Sequence, residues 1–276
     1  MGEEVKSSSR PAMSHYDANY NNFETELYEQ VRRDAFGEDI GQSSWLTADE
    51  QDRYLSSLNL SPGRSLLDVA CGSGGPALRI AAKTGCSIVG IDLHDKAVAT
   101  AKSLVSQRGL AGVCEFQIAD AAGPLPFPDA RFDAITCIDA INHLPDRPRV
   151  ISEWARLLKP GGRLLLTDPT TVTGPLTNAE IAVRSSIGFF LFVPHGYDEH
   201  TLVQCGLRVL VTEDVTCSMA ELAERRKVAR ASKCDALREI EGKKAFESQQ
   251  QFFEVAAHVA TERRLSRFVY VAEKPL

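Results

Sequence analysis

The sequence predicts a doubly wound α/β protein with a mostly parallel sheet, and three observations carry that expectation. From about residue 65 to 169, short runs rich in Val, Ile and Leu alternate with segments of helical apolar spacing. The first of those runs leads into a glycine-rich turn, Cys71-Gly72-Ser73-Gly74-Gly75. The chain has 276 residues and 43% apolar content, enough to build a sizeable core and too much for a disulfide scaffold or a disordered chain.

Taken in order, residues 1–13 are polar and aperiodic and read as a disordered lead, with Met13 a candidate natural start. Residues 14–60 read as an N-terminal helical lid carrying His15, Tyr16, Tyr20, Phe23, Tyr28, Phe36 and Trp45. Residues 61–276 form the main domain. Its strand candidates are 65–70, 87–92, 113–119, 132–139 and 162–169, with helices over 76–84, 95–108 and 147–158 between them. After Pro169 a polar loop, a helix over 177–191 and a short helix near 199–205 are expected, and then a strand over 207–215. A long helical stretch precedes the closing strand over 266–274, so helical cap insertions fall at about 170–205 and 217–265 and the sheet has seven strands.

Thirty-one Lys and Arg against thirty-seven Asp and Glu leave a net charge of -6, and the basic residues are scattered, so nucleic acid is not an expected partner. The longest apolar run, residues 187–193, is far short of the roughly 20 residues a bilayer crossing needs, and no basic-then-apolar leader opens the chain. A cytoplasmic protein is expected, as monomer or homodimer. Cysteines 71, 86, 114, 137, 205, 217 and 234 are odd in number and widely spaced, which suits reduced thiols rather than a metal site.

A glycine turn between strand end and helix start lets the backbone approach a ligand closely and aims free N–H groups at it. Gly72-x-Gly74-x-x-Ala77, with Asp92 twenty residues after Gly72, fits a dinucleotide fingerprint and so admits a nicotinamide cofactor. Asp68-x-Ala70-x-Gly72-x-Gly74 resembles instead the first motif of the class I S-adenosylmethionine-dependent methyltransferases. The segment FDAITCIDAINHLPDRPRVISEWARLLKPGGRLLLTDP resembles the region between strands four and five of that family, including its turn Leu158-Lys159-Pro160-Gly161-Gly162.

The resemblance implies a Rossmann-like fold and S-adenosyl-L-methionine as cofactor, with S-adenosyl-L-homocysteine as product. It implies that Asp68, Ala70, Gly72 and Gly74 line the methionine side and that Ile138 borders the cofactor. Asp92 would hold the ribose hydroxyls, Leu93 would pack on adenine, and Asp120 with Ala121 would read its amino edge. One departure is that Ala70 stands where the family has its first glycine.

Ile138-Asp139-Ala140-Ile141-Asn142-His143 resembles a stretch of the phosphoethanolamine and sarcosine/dimethylglycine N-methyltransferases. By that resemblance Asp139 and His143 belong to the catalytic site, and a lid tyrosine, Tyr20 or Tyr16, meets the histidine; Tyr20 is favoured here. His195 and Tyr197 are further substrate contacts to consider. The expected activity is in-line methyl transfer to a small acceptor, with nitrogen slightly favoured. O- or C-methylation of a larger apolar natural product, in secondary metabolism, is the alternative. A non-catalytic cofactor-binding protein is the reading from another class.

Overall fold

The computed structural model describes residues 14–276, and for Ser14, His15, Asp17 and Ala18 the backbone alone. The polar lead expected at 1–13 lies outside the described residues. The core of the fold is the alternation read above: β1 (Ser65–Val69), α4 (Gly75–Thr84), β2 (Ser87–Asp92), α5 (Asp95–Gln107), β3 (Cys114–Ile118), β4 (Phe132–Ile138), α6 (Arg147–Leu157) and β5 (Leu158–Val172). Ahead of it lie α1 (Ser14–Asn21), α2 (Glu26–Phe36) and α3 (Ala48–Leu55). After it come α7 (Asn178–Arg184), β6 (Val193–Pro194), α8 (Tyr197–Gln204), β7 (Arg208–Asp214), α9 (Thr216–Ala231), α10 (Cys234–Glu241), α11 (Lys243–Thr261) and β8 (Leu265–Glu273).

The sheet runs β3-β2-β1-β4-β5-β8-β7, parallel through its first five strands, with β8 antiparallel to both neighbours. Strands buried on both faces need apolar residues at successive positions, which is why β1 reads Ser-Leu-Leu-Asp-Val and is buried throughout. Leu66 and Leu165 join the side covered by α4 and α5, whereas Leu67, Leu164 and Leu166 join the side covered by α6 and α8. No helix among the described residues is long and apolar enough to cross a membrane.

Three boundaries differ from the expected ones, each for a physical reason. Lys159-Pro160-Gly161-Gly162 does not turn the chain ahead of β5 but bulges within it, between the Phe132–Leu158 and Ala134–Arg163 pairings. At its other end β5 runs past Pro169, because Thr170 and Thr171 bury their hydroxyls on Asp168 and Thr171 and Val172 pair with Val193 and Pro194. That rim pairing adds a two-residue eighth strand to the seven expected. The helix expected over 177–191 stops at Arg184: Ser185, Ser186 and Gly188, whose φ is +156°, release the apolar residues that follow into an extended segment.

The region read as one lid divides. Ala35, Phe36 and Trp45 share an apolar cluster with Met219, Leu222 and Ala223 of α9 and Phe252, Phe253 and Ala256 of α11. Tyr54 and Leu58 belong instead to the sheet core beside α4 and α5. Between these halves the chain crosses directly over the start of α4. A Cβ on Gly75 would stand 2.1 Å from the Ile40 carbonyl oxygen and 2.7 Å from the Gly41 Cα. Gly75→Ala is therefore expected to push residues 40–41 off α4 and destabilise the protein by about 1–3 kcal/mol, the usual range for overpacking. A melting temperature equal to wild type would show that the crossing is not tight.

Candidate active site

The carboxyl ends of the parallel strands carry the residues singled out above. Ala70, Gly72 and Gly74 all adopt left-handed backbone, with φ of +55°, +54° and +75°. The glycines do different work. A Cβ on Gly74 would collide with the Phe116 ring at 2.8 Å and with Ala101 at 2.9 Å, so this glycine serves packing beneath the turn. A Cβ on Gly72 would face outward, 3.1 Å from the Tyr20 hydroxyl. Asp92 holds the turn from β2, accepting from the Gly72 N–H at 2.8 Å and from the His94 N–H at 2.9 Å. Asp68 lies beneath, accepting from the Thr136 hydroxyl at 2.6 Å; burial pushes its carboxyl up to about 7.

Several details suit a bound adenosyl cofactor. Leu93 and Ile118 are large apolar side chains left 41% and 58% exposed at the ends of β2 and β3, where an adenine ring would cover them. Asp120 is exposed beside them, its Oδ1 accepting from the Ala122 N–H, and Ala121 is buried. The Ser73 hydroxyl is buried in the glycine turn with no hydrogen-bond partner among the described residues. Ile138 does not join this group in the same way, since it packs under Ile40, Leu46 and Ala48 of the crossing segment.

Asp139 lines the same chamber as His143, with both of its oxygens engaged. Its Oδ2 accepts from the Trp45 N–H at 2.8 Å, and its Oδ1 accepts from the Thr167 hydroxyl and the Arg267 Nε, both at 2.7 Å. Arg267 in turn donates to Glu50. Three donors, one of them a guanidinium, occupy its two oxygens, and the geometry is that of a fastener between β4, β5, β8 and the crossing segment.

His143 is arranged differently. Its Nδ1 lies 2.8 Å from the Phe189 carbonyl oxygen, which can only accept, so Nδ1 carries the proton and Nε2 keeps its lone pair. That Nε2 lies 2.9 Å from the Tyr16 hydroxyl, which donates to it. Burial lowers the histidine below its ordinary value and raises the phenol well above its own, so both are neutral near pH 7. The tyrosine at His143 is thus Tyr16 rather than Tyr20. Tyr20, one helical turn on, stacks on Tyr16, meets the His94 ring at a tilt and caps the glycine turn.

Tyr16, Trp45, His143, Arg184, Phe190 and Phe252 are among the residues around a cavity of about 110 Å³ that opens to solvent. Asn142 is buried there with both amide atoms lacking partners among the described residues. The segment 188–197 contributes Phe190 alone; His195 packs on Phe268, and neither it nor Tyr197 lines the chamber. Sequence reasoning did not find Arg184, Arg226 or Phe252, which sit on cap helices with no motif to mark them. The one available signal was an arginine placed just before an apolar run.

The methyltransferase domain family matches residues 67–166. The chain is 36% identical over 168 residues to 27-O-demethylrifamycin SV methyltransferase of Amycolatopsis mediterranei, covering 60% of this chain and 61% of that one. It spans between a third and a half of several other curated relatives. It is 31% identical over 220 residues to the O-methyltransferase resE of Aspergillus sclerotiorum, covering 79% of this chain and 78% of its relative. In fold it is similar to phosphoethanolamine N-methyltransferase 2 of Haemonchus contortus in complex with phosphomonomethylethanolamine and S-adenosylhomocysteine. The TM-score there is 0.79 at 19% identity, over 95% of this chain and 60% of that one. A relative matched across more than three-quarters of both sequences, together with the strand order and the glycine turn, settles the family: the chain belongs to the S-adenosylmethionine-dependent methyltransferases.

Proposed function

We propose that the protein transfers a methyl group from S-adenosylmethionine to a small molecule enclosed in the chamber above the strand ends. The observation that carries this reading is α1, which joins the two halves of the site: Tyr20 lies on the glycine turn and Tyr16 on His143. When bound, the cofactor supplies a methyl group on a sulfonium and leaves as a neutral thioether. Asp92 would hold its ribose hydroxyls, Leu93 and Ile118 would sandwich its adenine, Asp120 and Ala121 would meet the amino edge, and Asp68 would attract its ammonium group. Gly72 permits the close backbone approach.

Most of the acceleration in such a displacement comes from alignment and exclusion of water. Trp45, Phe190 and Phe252 provide apolar walls for the acceptor. As the acceptor's lone pair forms the new bond to carbon and the carbon–sulfur bond breaks, the acceptor's proton passes to the Tyr16 hydroxyl, which gives its own proton to His143 Nε2. The residual proton stays on the imidazolium, stabilised at Nδ1 by the Phe189 carbonyl.

Nitrogen and oxygen acceptors both suit a neutral base. The two cap arginines, Arg184 and Arg226, favour oxygen, because a positive field lowers the pKa of a hydroxyl and opposes an ammonium. A non-catalytic cofactor-binding role would more naturally have the chamber filled by side chains.

Two measurements test the proposal. A ligand at 100 times its Kd adds about 2.7 kcal/mol of stability, so S-adenosylhomocysteine is expected to raise the melting temperature where NAD does not. With methyl-labelled cofactor and a metabolite extract, label should appear in the low-molecular-mass fraction. Label confined to protein or nucleic acid would overturn the small-acceptor reading.

A further inference from the structure

Among the described residues, four arginines are wholly or almost wholly buried, and three of them meet carboxylates. Arg147 bonds Asp168 and Asp198, Arg267 bonds Asp139 and Glu50, and Arg230 bonds Glu241. Arg184 is the exception. It is 1% exposed, lines the chamber, and none of its Nε, Nη1 or Nη2 atoms has a hydrogen-bond partner among the described residues. Its guanidinium instead lies over aromatic faces, 4.4 Å from the Phe252 ring centre, with Phe190 at 5.6 Å and Trp45 at 5.8 Å.

Aromatic faces attract a cation but satisfy none of its five N–H donors, and a buried charge left in that state is costly. A second cation stands near the same indole: Arg226 lies 5.3 Å from the Trp45 ring centre and 4.6 Å from that of Phe253, and donates to the Ser43 and Ser44 carbonyls. Burial lowers both arginines to about 10, which leaves them charged near neutral pH. The chamber's own carboxylate, Asp139, is taken up by Trp45, Thr167 and Arg267, so in a chain of net charge -6 neither Arg184 nor Arg226 has a carboxylate hydrogen-bonded to it among the described residues.

We propose that the acceptor carries an oxyanion, a carboxylate or a phosphate, that binds the planar donor fork of Arg184 with Arg226 beside it. The proposal rests on the methyl-transfer reading for the identity of the ligand as acceptor. Phe190 packs against both His143, at 4.8 Å between ring centres, and Arg184, so the oxyanion and the reacting atom belong to one small molecule spanning that ring.

The test uses the full chain saturated with S-adenosylhomocysteine and three probes of similar shape: benzoate, phenyl phosphate and the neutral benzamide. Titration calorimetry should show at least one anion binding tenfold or more tightly than benzamide. Benzoate ahead of phenyl phosphate would identify a carboxylate site, and the reverse a phosphate site. R184M keeps the contacts with Phe252 and removes the charge; it should bind the anions no better than benzamide while its affinity for S-adenosylhomocysteine stays within threefold. Equal binding of all three probes by the wild type overturns the proposal, and so does an anion preference that survives in R184M. The wild-type comparison decides even if R184M does not fold. Failure of the wild type to bind S-adenosylhomocysteine would instead count against the methyl-transfer reading, and the probes can then be compared without it.

Discussion

Replacement of Asp92 by alanine is expected to weaken S-adenosylhomocysteine binding by two orders of magnitude or more. The carboxylate has two tasks that the substitution removes together. It would accept from the ribose diol, and it already accepts from the backbone N–H groups of Gly72 and His94, which shape the glycine turn. Hydrogen bonds to a charged group contribute about 1.5–3 kcal/mol each, and a buried donor left unmet costs about 1–3 kcal/mol. Losing two hydrogen bonds to the charged group, about 3–6 kcal/mol together, exceeds the roughly 2.8 kcal/mol that corresponds to a hundredfold in Kd. Asp92→Asn keeps the shape and one acceptor oxygen and should fall between the two. An alanine variant that binds the ligand as the wild type does would remove Asp92 from the cofactor site.

The second large effect is expected at His143. Its alanine variant should lose about a hundredfold to ten-thousandfold in kcat, the range for a general base, with cofactor affinity unchanged. Tyr16→Phe removes the hydroxyl at Nε2 and should lower kcat less than the histidine substitution if the tyrosine relays or orients the proton. The pH dependence follows from the direction of the shift. Burial lowers His143 below its ordinary value of 6.5, so the base form persists at neutral pH and the acid limb of kcat lies below 6.5. The same shift has a stability consequence. The unfolded chain takes up this proton more readily than the folded one, so His143 reduces stability as pH falls below 6.5. A kcat profile with its acid limb above 6.5, or full turnover in His143→Ala, would exclude the base role.

The positions of the candidate site residues at the strand ends were legible because each is held at a defined distance along the chain from a repeating βα unit. Asp92 and Asp120 follow directly from where β2 and β3 stop. Asp139 shows the limit of that logic. A carboxylate at the end of β4 has a predictable position, but its partners, Trp45, Thr167 and Arg267, come from three remote segments that only the packed fold assembles. The choice between Tyr16 and Tyr20 failed for a related reason: the two lie on one face of a helix, a turn apart, and sequence spacing does not tell which meets His143. Arg184 was illegible because the expected helix over 177–191 would have placed it mid-element. It is instead the last helical residue, before Ser185 and Gly188 open the chain.

α1 has only eight residues, too few to be stable as an isolated helix, so its order depends on what it rests against. Tyr20 rests on the donor half of the site and Tyr16 on the acceptor half, along one rigid turn. Free energy gained at either contact therefore holds both tyrosines in place. Occupancy at the glycine turn and completion of the Tyr16–His143 pair become linked equilibria, so whatever stabilises one contact stabilises the other by the same amount.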